Sequence, residues 1–159
     1  MHDNRMTTEI LNIDKGQCLT DVLPAIPANT IFDKTITGCG ATHSEIVNAA
    51  RHSIIIEPNI PVILGKKAEH PFLFAVYEGI TKEDVKAYLA GEHDGYRKII
   101  TTPEGFDKKV LPAMYELEIP VYKDYFLLFD ECEKAIQDVG YRGDIYLPVE
   151  DFFKFENKA

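Results

Sequence analysis

The amino-acid sequence predicts an α/β fold with three layers, in which helices cover both faces of a mostly parallel central sheet. Three runs support this prediction: SIIIE at 53–57, PFLFAVY at 71–77 and YFLLFD at 125–130. Their apolar residues are continuous instead of alternating with polar ones, which is typical of strands buried on both faces. Helix-patterned stretches separate the runs, and an alternation of strands and helices favours a parallel sheet.

The individual elements follow from local patterns taken in chain order. Thr81 is a predicted N-cap, because Asp84 lies three residues on and Gly91 can close the last turn of the helix. Pro103 can open a helix, whereas Pro112 predicts a kink or break within it. The predicted strands are 29–36, 53–57, 71–77, 97–102 and 125–130, and the predicted helices are 42–52, 81–91, 103–117 and 131–139, with a helix or loop at 58–67 and a loop or short helix at 144–159.

Composition and charge limit the class of protein. The 159 residues are 45% hydrophobic and 27% charged, as in one globular domain. The net charge of −9, without a dense lysine or arginine run, argues against a dedicated DNA-binding module. No segment approaches the ~18 continuous apolar residues of a membrane span, and no secretory signal is recognised. Three widely spaced cysteines, Cys18, Cys39 and Cys132, indicate neither disulfides nor zinc, so a cytoplasmic protein is expected.

The stretch TITGCGATHSEI at 35–46 has the pattern of a phosphate-cradling glycine loop that runs into a helix. Gly38 and Gly40 permit backbone angles that turn several amides inward around an anion. The helix predicted to begin near Thr42 adds the positive end of its dipole, and the Thr42 hydroxyl lies where such loops hold Mg²⁺. The next residue, His43, could touch phosphate or face solvent. Glycine pairs before helices are also common in ordinary turns, so the loop alone does not identify a nucleotide-binding site.

The stretch YFLLFDECEKA at 125–135 places Asp130 and Glu131 side by side at the end of an apolar strand. One carboxylate can bind Mg²⁺ while the other orients an attacking water. The alternative is that both simply charge the first turn of the next helix. The glycine loop precedes this acidic pair by about 90 residues in an alternating α/β chain, and ligands of such sheets bind at the carboxyl ends of the strands. The combination favours a nucleotide-binding fold.

With these motifs the chain resembles the first RecA-like domain of the superfamily 2 helicases, the DEAD/DEAH-box group. TITGCGAT resembles the family's APTGSGKT loop, and DECE at 130–133 resembles its acidic box. IIIEPN at 54–59 takes the place of the PTREL motif, and IITTPEGF at 99–106 resembles a VTTPGR-like motif that touches the nucleic-acid backbone. The resemblance implies a RecA-like P-loop domain at 25–159, preceded by an extension at 1–24 that packs on it.

The resemblance also implies ATP and Mg²⁺ as cofactors, with Thr42 and Asp130 on the metal. Asp130 and Glu131 would be the catalytic pair, and Glu131 would position water. Thr101 and Thr102 would contact DNA or RNA, and a second RecA-like domain would be a further partner. The implied cofactor-binding residues are Lys34, Thr37, Gly38, Cys39, Gly40, Ala41 and Thr42.

Three departures from the family pattern matter. Ala41 stands where the family has its phosphate-binding lysine, and Cys132 and Glu133 replace the last two letters of the acidic box. The chain ends about where a Ser-Ala-Thr motif would follow, so the second domain and its arginine finger are expected to be missing and hydrolysis to be negligible. Lys34 is the candidate replacement for the lost lysine; the alternative is an ordinary lysine that faces solvent.

Competing functions therefore stay open. The first is the ATP-binding lobe of an ATP-dependent nucleic-acid helicase or translocase. The second is a non-catalytic RecA-like scaffold or interaction domain that has lost nucleotide binding, which Ala41 favours. A third, a small α/β enzyme that uses Asp130 and Glu131 for other acid–base work, leaves the glycine loop unexplained.

Overall fold

The computed structural model, which describes residues 6–35, 38–132 and 146–159, contains one sheet of five parallel strands. In the register of the sheet, Ile54 lies opposite Ile99 on one side and Leu127 on the other. The predicted α/β fold is thereby confirmed. The strands are β1 (His52–Ile56), β2 (Phe74–Val76), β3 (Lys98–Thr101), β4 (Tyr125–Phe129) and β5 (Asn157–Lys158), in the spatial order β2-β3-β1-β4-β5.

Helices lie before and between these strands. None of the helices described here is long and apolar enough to cross a membrane. Their bounds are α1 (Leu19–Val22), α2 (Ala41–Val47), α3 (Ile60–Glu69), α4 (Lys82–Ala90), α5 (Pro103–Gly105), α6 (Leu111–Glu116), α7 (Val121–Asp124) and α8 (Tyr146–Phe152), with a π-helical turn at Phe106–Val110 between α5 and α6.

Alternate residues of the central strands pack into two hydrophobic cores, one on each face of the sheet. On β1, Ile54 and Ile56 face the first core while Ile55 faces the second. The first core also receives side chains from α4, the π-helical turn, α6 and α7, and the second from α1, α2 and α3. Burial on both faces explains why these strands are apolar throughout.

The N-terminal segment packs on the face of the sheet that carries α2. Leu19 of α1 is 3% exposed in the second core, and its backbone N–H donates to the carbonyl of Cys39 at 2.8 Å. Ile26, just beyond the predicted boundary at residue 24, is buried in the same core. The stretch from α1 to Ile26 is therefore part of the packed structure, and the division into 1–24 and 25–159 stays a prediction.

The strand predicted at 29–36 does not form. Residues 30–34 carry no helix or strand, Ile31 is 81% exposed, and residue 36 lies outside the described part of the chain. The Asn29 N–H donates to the Lys158 carbonyl at 2.6 Å, so the segment starts beside β5. Because β5 is only two residues long, it offers few backbone groups with which a sixth strand could pair.

The helix predicted at 42–52 ends earlier, at Val47. Asn48 leaves the helical conformation with a ψ of 105°, and its Oδ1 accepts the N–H of Ala50 at 2.9 Å. An asparagine side chain that bonds a backbone donor nearby competes with continuation of the helix. The residues assigned to the last turn of the predicted helix therefore form the turn into β1.

The capping prediction for α4 is confirmed, and the interruption predicted at Pro112 takes the form of a widened turn. Thr81 Oγ1 accepts the Asp84 N–H at 3.2 Å, and Asp84 Oδ2 accepts the Thr81 N–H at 2.8 Å. The Gly91 N–H donates to the Ala87 carbonyl at 3.1 Å and closes the helix. Pro112 lies in α6 directly after the π-helical turn, and prolines and π-bulges are both known causes of helix kinks.

The end of the chain contributes one helix and the last strand. Helical structure begins at Cys132, and residues 133–145, which include most of the helix predicted at 131–139, lie outside the described residues. The tail forms α8 and β5, so the prediction of a loop or short helix at 144–159 missed β5.

Candidate functional site

Side chains from two distant parts of the chain meet at the carboxyl edge of the sheet. Thr42 Oγ1 donates a hydrogen bond to Asp130 Oδ2 across 88 positions of sequence. Lys34 Nζ donates to the other oxygen, Asp130 Oδ1, at 2.5 Å. The Glu131 N–H also donates to Oδ1, at 3.0 Å. We call Lys34, Thr42, Asp130 and Glu131 the carboxyl-edge cluster.

The end of β4 holds Asp130 in place. The Asp130 N–H donates to the Ile56 carbonyl at 3.0 Å, which continues the pairing of β4 with β1 by one residue. Asp130 and Thr42 are each 9% exposed, whereas the Lys34 side chain is 33% exposed. The cluster is thus a largely buried carboxylate that lysine approaches from the partly exposed side.

The charge of Asp130 controls the protonation of Lys34. Burial by itself lowers the pKa of Lys34, but the hydrogen bond and the negative charge of Asp130 outweigh burial, and the pKa lies above the ordinary 10.5. Lys34 is therefore an ammonium at neutral pH and forms an ion pair with Asp130. A cation already lies against the carboxylate that the sequence predicts as a metal ligand.

Both glycines of the loop have positive φ. Gly38 and Gly40 have φ of +76° and +88°, a left-handed conformation that favours glycine. A Cβ built at either glycine meets no atom within 4 Å, so open space lies beside the loop. Cys39 between them is partly buried, and Thr37 lies outside the described residues.

Ala41 has a structural role that the sequence motif does not reveal. It is the first residue of α2, is 7% exposed, and packs in the second core with Leu19 and Ile46. A lysine side chain at this position would start from inside the core. The packing around position 41 therefore favours a small residue such as alanine. The lysine that contacts Asp130 is Lys34, which precedes the glycine loop.

Glu57 and Asn59 belong to the same edge, although sequence reasoning assigned them no role. Glu57 follows β1 and is 2% exposed, and its Oε1 accepts the Asn59 backbone N–H at 2.9 Å and the Asn59 Nδ2 at 3.0 Å. Asn59 Nδ2 also donates to Glu131 Oε2 at 2.8 Å. The pKa of Glu57 is raised above its ordinary value. Burial is the main cause, and the negative charges of Asp130 and Glu131 add to it. The hydrogen bonds from Asn59 lower the pKa but do not cancel the rise.

Glu131 has an unusual backbone conformation. Its φ of +52° lies in the left-handed region, which non-glycine residues adopt seldom and at a cost of about 1–3 kcal/mol. Together with the bond from Asn59, this conformation directs Glu131 towards β1 and away from a first-turn helical position. Such strain is concentrated at functional sites more often than elsewhere.

Thr101 and Thr102 lie at the end of β3, next to β1. Thr101 is fully buried, its hydroxyl donates to the Thr102 carbonyl at 3.1 Å, and its carbonyl accepts the Glu57 N–H at 2.9 Å. Thr102 Oγ1 accepts the Gly105 N–H at 3.0 Å and so caps α5. Only Thr102 of the two has an exposed portion that nucleic acid could reach.

The oxygen ligands of the carboxyl-edge cluster fit magnesium in kind. Thr42 and Asp130 supply a hydroxyl and a carboxylate, which suit a hard cation, and Mg²⁺ in nucleotide sites takes one or two carboxylates plus phosphates and waters. Within the part of the chain that the structure describes, no group of three or more His, Cys, Asp or Glu side chains is placed to hold a metal ion. Nucleotide and water would have to supply the remaining ligands.

A second charged cluster lies at the opposite, amino edge of the sheet. Glu45, fully buried, accepts from Arg51 Nε at 3.0 Å and Nη2 at 2.6 Å and from Ser53 Oγ at 2.5 Å. Lys98 Nζ donates to Ser53 Oγ at 2.8 Å, and burial lowers the pKa of Lys98 to about 8. These bonds tie α2 to β1 and β3. An open cavity of about 390 Å³ lies at this edge too, and none of the predicted site residues lines it.

Comparisons of the chain with protein-family models, with curated proteins and with solved structures find no match. The resemblance to a helicase domain therefore stays a prediction from the order of the sequence motifs.

Proposed function

We propose that this chain binds Mg²⁺·ATP as the first lobe of an ATP-dependent nucleic-acid helicase or translocase. The convergence of Lys34 and Thr42 on Asp130, beside a loop with two left-handed glycines, supports the proposal most strongly. These contacts join a cationic side chain, a hydroxyl and a carboxylate at the edge of a parallel sheet where ligands bind.

The residues of the cluster divide into three tasks. Thr42 and Asp130 would hold Mg²⁺, which supplies positive charge against the phosphates. Lys34 would leave Asp130 when the metal takes its place and would neutralise phosphate charge from the partly exposed side. Glu131, held by Asn59, would orient a water molecule. Lys34 thereby replaces the lysine that Ala41 lacks.

Hydrolysis by this chain alone should be slow. An arginine that stabilises the transition state of phosphoryl transfer is worth about 10³–10⁵ in rate. The arginines that the structure describes, Arg51 and Arg97, precede β1 and β3 and so lie at the amino edge, away from Asp130. A second domain is the proposed source of the missing charge, and Thr102 with the start of α5 is the proposed contact to nucleic acid.

The test is thermal unfolding with increasing Mg²⁺·ATP. At ~100 times the dissociation constant, a ligand adds about 2.7 kcal/mol of stability, which is roughly 5–10 °C for a chain of this length. Lys34→Met, Thr42→Val and Asp130→Asn should each reduce the shift, whereas Lys123→Met, at an exposed lysine elsewhere, should leave it unchanged. Equal shifts for Lys34→Met and wild type would refute the role of Lys34.

The alternative is a RecA-like scaffold that no longer binds nucleotide. Two observations favour it. Lys34 already forms an ion pair with Asp130, the predicted metal ligand, and Ala41 is buried in the second core where the resembled loop has a phosphate-binding lysine. No change in melting temperature at millimolar Mg²⁺·ATP or Mg²⁺·ADP would support this alternative and exclude the nucleotide-binding lobe.

A further inference from the structure

Two histidines outside the carboxyl-edge cluster bring their ring nitrogens together. His43 lies in the first turn of α2, and His70 follows α3 directly. His43 Nδ1 and His70 Nε2 are 3.3 Å apart, with ring centroids at 5.1 Å and ring planes inclined by 42°. Both side chains are partly buried. Neither a strand pairing nor a core contact requires this approach.

The distance between the two nitrogens matches that between two ligands of one metal ion. Zinc–imidazole bonds of 2.0–2.1 Å in a tetrahedral site place two nitrogens about 3.3–3.4 Å apart. In the structure the same contact is an N–H···N hydrogen bond whose direction depends on the tautomers, and its 3.3 Å is long beside the about 2.7–3.2 Å of N–H···O bonds. Neutral imidazole is the commonest protein ligand for Zn²⁺, Ni²⁺ and Cu²⁺.

A carboxylate lies near the pair, although in the described residues no third side chain is placed to coordinate a metal ion together with the two histidines. Glu69 Oε2 is 3.9 Å from His70 Nε2 and currently accepts a hydrogen bond from Lys66 Nζ at 2.9 Å. The Glu69 side chain is 58% exposed, so a change of rotamer can move its carboxylate towards the histidines. Lys66 would then lose its partner, and its positive charge would oppose the metal. We therefore expect binding of moderate strength, with water completing the coordination.

We propose that His43 and His70 form a binding site for a divalent transition-metal ion, Zn²⁺ or Ni²⁺, in which Glu69 is the third ligand. The site joins α2 to the connection between α3 and β2, so an ion bound there cross-links two elements on the second-core face. Its nitrogen ligands distinguish it from the oxygen ligands of the carboxyl-edge cluster. The proposal does not depend on nucleotide binding.

The test is isothermal titration of metal-free protein with ZnCl₂ and, separately, NiCl₂. All proteins carry serine at positions 18, 39 and 132, so that thiolates do not contribute ligands. We expect one saturable site whose affinity falls at least about tenfold in His43→Gln and in His70→Gln, and less in Glu69→Gln. His93→Gln, at an exposed histidine elsewhere, is the matched control and should bind as tightly as the parent.

Two further measurements keep the outcome decisive. Far-UV circular dichroism confirms that each variant folds, and NMR of the imidazole groups shows which histidines respond to the metal. Loss of the His43 and His70 signals on addition of Ni²⁺ would support the site. The proposal would be overturned by no saturable binding at millimolar ZnCl₂ and NiCl₂, or by affinities of His43→Gln and His70→Gln equal to that of the parent.

Discussion

Ala41→Lys, which places a lysine where the resembled helicase loop has one, should destabilise this protein without improving nucleotide binding. Ala41 is 7% exposed at the start of α2, and it packs with Leu19 and Ile46 in the second core. A lysine there adds three methylenes and an ammonium beyond the Cβ, at a site that is already buried. Lys34, which already lies against Asp130, would also repel a second cation that reached the cluster.

The expected cost follows from overpacking. Inserting extra methylenes into a well-packed core costs about 1–3 kcal/mol, and the charge adds to this unless the chain end reaches solvent. A loss of about 2 kcal/mol corresponds to a fall of roughly 4–8 °C in melting temperature for a chain of this length. Urea unfolding measures the free energy, and a titration with Mg²⁺·ATP measures binding.

Two controls separate the causes. Ala41→Met has similar length without charge, so its difference from Ala41→Lys isolates the cost of the ammonium. Ala49→Lys adds the same charge at an exposed position and should be nearly neutral. If Ala41→Lys is as stable as the wild type and binds Mg²⁺·ATP more tightly, the lysine has reached the phosphates, and the reasoning from burial is wrong.

Two further predictions concern the amino-edge cluster. Arg51→Met should lower the free energy of unfolding by about 3–5 kcal/mol, because it removes the two hydrogen bonds that Arg51 donates to the fully buried Glu45. Arg51→Lys should recover part of this loss. A loss below about 1 kcal/mol for Arg51→Met, measured by urea unfolding, would contradict the role of the ion pair. Burial lowers the pKa of Lys98 to about 8 from 10.5, so between these values the unfolded chain binds a proton that the folded chain has released. The free energy of unfolding of the wild type, relative to that of Lys98→Met, should therefore rise as the pH rises from about 8 to 10.5. Urea midpoints of both proteins at the two ends of this pH range measure the change. A fall in the relative stability would show that burial does not lower the pKa of Lys98.

The buried strands could be predicted from the sequence because burial on both faces leaves a local mark, a continuous apolar run. SIIIE and YFLLF became β1 and β4 for this reason. The strand predicted at 29–36 failed because a strand also needs a partner, and local pattern does not show that β5 is only two residues long. Asn48 ended α2 through a bond of its own side chain, a competition that helical periodicity does not reveal.

The meeting of Thr42 with Asp130 was predictable because parallel strands deliver their carboxyl ends to one edge. The same rule pointed to Glu57, which follows β1 at that edge, but the IIIEPN stretch at 54–59 was matched to a family motif only as a whole, and no role was assigned to Glu57 itself. Asn59 was hidden for a different reason, since only the folded chain shows that its amide bridges Glu57 and Glu131. The burial of Ala41 depends on α1, a segment distant in sequence whose packing carries no local signal.

A crystal structure of the chain with Mg²⁺·ADP tests the central claim most directly. The account predicts a metal ion about 2.1 Å from Thr42 Oγ1, with Asp130 beside it, the phosphates against the loop at 38–42 and Lys34 Nζ moved from Asp130 to phosphate. Nucleotide bound elsewhere, or a site without nucleotide in which Lys34 still holds Asp130 at 2.5 Å, would contradict it.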